Sequence, residues 1–158
     1  MSHVSWDDYF MGIAFMASLR SKDENTKVGA CIVDKDNRIL STGFNGAPRK
    51  FNDNNVPKTN KGEWLKTKYP YVCHSELNAL LNYRGSQSDF NGAKIYVTLF
   101  PCNECAKAII QSGIREVVYD SDKYEKTPGV IASKKMLTSA GVKLRKYEHS
   151  NRDVRLDL

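Results

Sequence analysis

No run of this chain approaches the ~18 to 20 consecutive apolar residues that a membrane-spanning helix requires. The N-terminus lacks the pattern of a secretory signal, because Asp7 and Asp8 interrupt it and no small-residue cleavage site follows an apolar stretch. These absences predict a soluble, cytoplasmic protein with no membrane partner. Cysteine is scarce: Cys31, Cys73, Cys102 and Cys105 are 4 among 158 residues, too few for a disulfide scaffold. Such thiols are expected to stay reduced or to hold a metal. Internal repeats and low-complexity segments are absent. Acidic residues are also outnumbered, 18 against 24 lysines and arginines, and the resulting charge of +6 favours phosphates, nucleotides or nucleic acid as partners. Charge nominates that class without choosing a member. With 41% hydrophobic residues the chain can fill a core, which excludes wholesale disorder. Its length suits one domain spanning residues 1–158.

Hydrophobic periodicity predicts alternating elements. Ser5 precedes an amphipathic pattern (Trp6, Tyr9, Phe10, Ile13, Ala14) that reads as a helix running to about Arg20, with Asp8 three residues after the cap. Ser21 to Thr26 is a loop. Val28 to Val33 and Arg38 to Phe44 are strands flanking the hairpin signature Asp34-Lys35-Asp36-Asn37. Asn45 to Tyr71 has no clean period and is expected to be a long loop, a length that usually carries a functional reason. A helix is expected from about His74 to Tyr83, a strand from Ala93 to Leu99 and a helix from Cys102 to Ser112 stopped by Gly113. A strand from Glu116 to Tyr119, a helix from Val130 to Ala140 closed by Gly141, and a strand from Val142 to Tyr147 complete the pattern. The β-α-β-α-β order after Ala93 implies parallel crossovers. The expected fold is α/β, a three-layer α/β/α sandwich around a central mixed sheet of about five strands. No motif explains Ser150 to Leu158.

The chemistry concentrates at His74-Ser75-Glu76 and Pro101-Cys102-Asn103-Glu104-Cys105. Cysteines three apart at a helix start share one face, and the helix N-terminus favours their thiolates. With His74 from another helix start they make three N/S ligands of the kind zinc prefers. Three protein ligands mark a catalytic zinc, because the fourth position stays open for water. Glu76, two residues beyond His74, can handle that water's proton. His-x-Glu followed by Pro-Cys-x-x-Cys resembles the signature of zinc-dependent nucleobase deaminases. A structural zinc module binding nucleic acid is the alternative from another class. It needs a fourth ligand that Cys31, Cys73, His3 and His149 are poorly placed to supply, and it leaves Glu76 without a role.

The resemblance extends well beyond the zinc motifs. Tyr71 to Ala79 and Tyr96 to Lys107 are similar to the deoxycytidylate (dCMP) deaminase family, as are Arg20-Ser21-Lys22-Asp23, Gly43-Phe44-Asn45-Gly46-Ala47-Pro48 and Ser121-Asp122-Lys123-Tyr124. The matches run from about Tyr9 to Gly141. They imply a cytidine-deaminase-like fold and zinc-dependent hydrolysis of dCMP to dUMP and ammonia, supplying dUMP for thymidylate synthesis. A zinc-activated water would attack C4 of cytosine while Glu76 protonates N3 and then the departing amino group. The family resemblance further implies a homohexamer activated by dCTP with Mg²⁺ and inhibited by dTTP. It suggests that Asn45 touches the sugar and that Val28 to Ala30 (Ala30 among them), with Leu99 and Phe100, line the base pocket. Arg20, Lys22 and Lys27 are candidates for the phosphate, with Asn25 and Tyr124 as neutral donors, and Gly43 and Gly46 are candidate effector contacts. Asn45 to Val72 contains no Cys or His, so one zinc per subunit is expected, and this loop is a candidate cover over the nucleotide. A base-flipping deaminase acting on tRNA adenosine or single-stranded DNA shares the zinc chemistry, but the basic residues here are dispersed rather than arranged in a track, and no nucleic acid is expected as a partner. A free-nucleoside cytidine deaminase is a further alternative, disfavoured by His74 in place of a third cysteine. The choice between dCMP and dCTP stays open.

Overall fold

The computed structural model describes residues 2–158. Five strands form one mixed sheet: β1 (Gly29–Val33), β2 (Ile39–Phe44), β3 (Lys94–Leu99), β4 (Glu116–Ser121) and β5 (Lys143–Lys146), in the order β2-β1-β3-β4-β5. β1 pairs antiparallel with β2 and β3, whereas β3, β4 and β5 run parallel. Four helices cover the sheet: α1 (Trp6–Ser18), α2 (Ser75–Asn82), α3 (Asn103–Ser112) and α4 (Pro128–Ser139). The alternation of side chains explains the layers. On one face Cys31, Val33, Tyr96 and Val118 pack with Phe10, Met11 and Ala14 of α1. On the other, Ala30, Ile32, Ile95, Val97 and Val117 pack with Leu80 of α2, Ile109 of α3 and Leu137 of α4. All of β1 is buried because helices lie on both sides, which is why Gly-Ala-Cys-Ile-Val reads as a continuous apolar run. The three-layer α/β arrangement matches the expectation from sequence.

Local chemistry sets the ends of the elements. Ser5 Oγ accepts from Asp8 N at 3.0 Å and starts α1. Thr127 does the same for α4 through Val130 N, which begins that helix at Pro128, two residues before the apolar pattern does. Gly113 adopts φ +93 and ends α3. The polar hairpin turn is tied by Asp34 Oδ1, which accepts from Asp36 N at 2.8 Å and Arg38 N at 2.9 Å. Asp7 joins α1 to the sheet, accepting from Tyr96 Oη at 2.6 Å and from Arg145 Nη1 at 2.5 Å.

Two boundaries differ from the sequence reading in a way that matters. Both expected helices that carry the metal motifs begin one residue late, because His74 and Cys102 are their N-caps with extended backbones. A 3-10 turn at Gln87–Phe90, which the periodicity does not signal, buries Phe90 in the core. The stretch from 45 to 71 is irregular apart from single 3-10 turns at Asp53–Asn55 and Trp64–Lys66. Its two ends are pinned together, since Gly46 and Cys73 exchange backbone hydrogen bonds of 3.0 and 2.8 Å.

Candidate active site

The N-termini of α2 and α3 converge beyond the carboxyl end of β3, where open α/β sheets tend to bind ligands. Gly43 permits that convergence. A Cβ at this position would lie 2.3 Å from the Ser75 carbonyl oxygen and 2.4 Å from Ala79 N, so α2 can approach β2 only because the side chain is absent. Asn78 and Asn82 donate to the Phe44 and Thr42 carbonyl oxygens at 2.7 and 2.9 Å and fix α2 along that strand.

The cap positions then present three ligand atoms to one another. His74 Nδ1 lies 3.3 Å from Cys102 Sγ and 3.6 Å from Cys105 Sγ, and all three donor atoms lie within 4.8 Å. A single zinc with ligand distances of about 2.0 to 2.3 Å places tetrahedral donors roughly 3.3 to 3.8 Å apart, so these three fit one ion. The His74 side chain makes no capping hydrogen bond, which leaves its ring free for that task. Thiol electrostatics agree with the donor chemistry. The hydrogen bond from Cys105, with help from His74, pulls the Cys102 thiol below its ordinary range, whereas the same bond and burial push Cys105 up. A divalent ion bound by the two sulfurs would favour the thiolate form of both. His74 is raised chiefly by its hydrogen bond with Cys102, opposed by burial and by the charge of Lys68.

Glu76, in the first turn of α2, is 4% exposed and takes a hydrogen bond from the Ser75 hydroxyl on Oε1. Burial raises its pKa, with the Ser75 bond and His74 partly opposing the rise. A carboxyl held above the ordinary range exchanges protons more readily near neutral pH, which is what a general acid and base requires.

His74, Glu76 and Cys102 line a cavity of about 380 Å³, with Cys105 buried behind them. Val28, Leu99 and Phe100 form its apolar walls, and Tyr69 and Tyr124 stand at its more exposed end. Phe100 is held by an edge-on contact with Tyr119, with ring centres 4.8 Å apart. A second cavity of about 490 Å³ lies alongside, and Asp23, Asn45, Lys68 and Val72 line both.

Not every residue nominated from sequence lies at the first cavity. Asn45, Phe100 and Tyr124 line it together with His74, Glu76 and Cys102. Asn45 is committed to the neighbouring loop as well: its Oδ1 accepts from Val28 N and its Nδ2 donates to the Thr26 carbonyl, both at 2.9 Å. Ala30 does not line the cavity; it is fully buried in the core, because α2 packs across β1 at that position, and Val28 forms the wall instead. Lys22 is 78% exposed, pairs with Asp53 at 2.5 Å and lines the second cavity together with Arg20, Asn25 and Gly46. Asn25 spends its side-chain amide on the Lys58 carbonyl at 3.2 Å. Lys27 is exposed and lines neither cavity. Gly43 sits beneath α2 and has no ligand-facing surface.

Sequence reasoning passed over Lys68. It is the only lysine or arginine among the described residues that line the first cavity. Its ammonium pairs with Asp23 at 2.8 Å, with the side chains only 15% and 11% exposed. The two residues are 45 positions apart in irregular segments, so no spacing rule connects them.

Comparison with known proteins agrees with this arrangement. The family model for the cytidine and deoxycytidylate deaminase zinc-binding region matches residues 4–121. Human deoxycytidylate deaminase is 48% identical over 146 residues, covering 92% of this chain and 81% of that protein. Deoxycytidylate deaminase of Mycobacterium phage D29 is 41% identical over 132 residues, covering 77% of this chain and 99% of its own. The crystal structure of the dCMP deaminase of cyanophage S-TIM5 in complex with dCMP and dUMP superposes with a TM-score of 0.72 at 27% identity, over 92% of this chain and all of that one. With its α/β sandwich, its His-Cys-Cys cluster and these relatives, the chain belongs to the cytidine and deoxycytidylate deaminase family, in its deoxycytidylate deaminase branch.

Proposed function

We propose that the protein hydrolyses dCMP to dUMP and ammonia at the cavity lined by His74, Glu76 and Cys102, with Cys105 beside them. The observation that carries the reading is the buried Glu76 carboxyl beside three zinc-type donors, in a chain similar to named dCMP deaminases. His74, Cys102 and Cys105 would hold one zinc ion. When bound, zinc lowers the pKa of a water toward ~7 and so provides a nucleophile at neutral pH. The residues supply the rest. Val28, Leu99 and Phe100 receive the flat pyrimidine, and burial keeps bulk water from competing at the reacting carbon. Glu76 takes a proton from the attacking water, delivers it to N3 and then carries the second proton to the departing amino group. Oxygen enters C4 and ammonia leaves, so the atoms balance without a further co-reactant.

The family resemblance also supports a homohexamer, one domain over residues 1–158, dCTP with Mg²⁺ as activator, dTTP as inhibitor, and a role in supplying dUMP for thymidylate synthesis. For the triphosphate effector we favour the second cavity, which carries Gly46 together with Arg20, Lys22 and Lys58. Among the described residues no helix is long and apolar enough to cross a membrane. The test is ammonia release by the zinc-loaded protein from dCMP, dCTP, deoxycytidine, CMP, a tRNA and a single-stranded DNA, each with and without dCTP and Mg²⁺ where dCTP is not the substrate. Turnover of dCMP that rises with dCTP is expected. Activity confined to a polymer would keep the zinc chemistry and overturn the substrate.

A further inference from the structure

We propose, on the basis of the deaminase reading above, that Lys68 is the substrate-phosphate receptor and that Asp23 is the residue that positions it. The cavity needs a cation near its open end if the ligand carries a 5′-phosphate, and the three basic residues that the sequence nominates are elsewhere. Arg20 and Lys22 line the neighbouring cavity, and Lys27 lines neither. Lys68 lines the first cavity, and borders the neighbouring one as well.

The geometry around Lys68 suits that role. One of its three N–H donors goes to Asp23 Oδ2, and among the described residues no other protein acceptor lies within hydrogen-bond distance of Nζ. Two donors therefore remain for an anion. Asp23 is itself fixed, because its Oδ1 accepts from Asn25 N at 2.8 Å and Thr26 N at 3.0 Å. Those backbone donors draw off part of the carboxylate's charge, so Asp23 can hold the ammonium without fully neutralising it toward a second anion. Lys68 also has a short tether, since its backbone N–H donates to the Thr59 carbonyl at 3.0 Å. With its backbone fixed there and its mostly buried ammonium paired with Asp23, the side chain has less freedom left to lose on binding. Charge-assisted bonds from a mostly buried ammonium to a phosphate would then discriminate a nucleotide from the nucleoside that lacks it.

The measurement is kcat/KM for dCMP and for deoxycytidine in the wild type, Lys68→Met and Lys68→Arg, with zinc content and thermal midpoint recorded for each. Lys68→Met should lower the dCMP-to-deoxycytidine ratio by about 10- to 100-fold, the worth of one or two charge-assisted bonds. Lys68→Arg should recover most of the dCMP activity, because it restores the cation beside Asp23. Asp23→Asn should raise KM for dCMP more than it lowers kcat. Equal losses on both substrates, or a dCMP value in Lys68→Met within about threefold of the wild type, would overturn the assignment. Where deoxycytidine turns over too slowly to follow, the fall in dCMP activity and its recovery by arginine decide. Failure of the wild type to deaminate either substrate would be a failure of the deaminase reading instead.

Discussion

Replacing Glu76 by glutamine separates proton handling from everything else this side chain does. Glutamine has nearly the same volume, so the packing of α2 against β2 is retained. Its Oε1 still accepts from the Ser75 hydroxyl, the contact that Glu76 makes now. The group that is lost is the titratable carboxyl, whose pKa burial raises above its ordinary 4.5. A positioned general acid and base contributes about 10²- to 10⁴-fold to rate, or roughly 3 to 5 kcal/mol of barrier. Two proton deliveries depend on the same carboxyl here, so the loss should fall toward the upper end of that range. The assay follows the absorbance change as cytosine becomes uracil, with zinc measured by atomic absorption on the same preparation. Glu76→Gln should keep one zinc per chain and a thermal midpoint close to that of the wild type. A variant retaining more than about a tenth of wild-type kcat, with zinc bound, would refute the role assigned to this residue.

Other expectations follow from single contacts. Cys102→Ala removes one of three donors and the N-cap atom of α3, so zinc content should fall well below one per chain and the thermal midpoint should drop, as read by metal analysis and calorimetry. Gly43→Ala places a methyl carbon against the α2 backbone and should cost roughly 1 to 3 kcal/mol, a fall of about 3 to 10 °C in thermal midpoint, with activity falling alongside because α2 carries Glu76. An unchanged midpoint would mean that α2 can move aside freely. Asp7 is held below its ordinary 3.8 chiefly by the Arg145 hydrogen bond. Its contribution is therefore present above that value and is lost as pH falls through the lower native pKa. Asp7→Asn should lower the thermal midpoint at neutral pH and flatten its decline below about pH 4; an unaltered acid limb would remove Asp7 from the account.

The zinc site was legible because its ligands occupy two short local patterns. Cys102 and Cys105 are three apart, and His74 and Glu76 two apart, so each pair is placed by its own helix start and only one tertiary relationship is left to the fold. The layers were legible too, since Cys31 and Val33 alternate with Ala30 and Ile32 in a strand whose two faces meet different helices. The Lys68–Asp23 pair was not. Lys68 and Asp23 come together only because a long irregular segment folds back, and nothing periodic marks either residue. Ala30 illustrates the complementary limit: a small residue in a motif looks ligand-facing until the helix that covers it is placed. Gly43 is similar, a glycine whose necessity is visible only from the backbone of α2 2.3 Å from where a Cβ would stand.

The most direct test of the central claim is a reaction of the zinc-loaded protein with dCMP in water enriched in ¹⁸O, with product analysed by mass spectrometry and ammonia counted in the same tube. The account predicts dUMP carrying one ¹⁸O at C4, with one ammonia released per dUMP formed. Absence of dUMP from a preparation that holds one zinc per chain, or dUMP without the label, would contradict it.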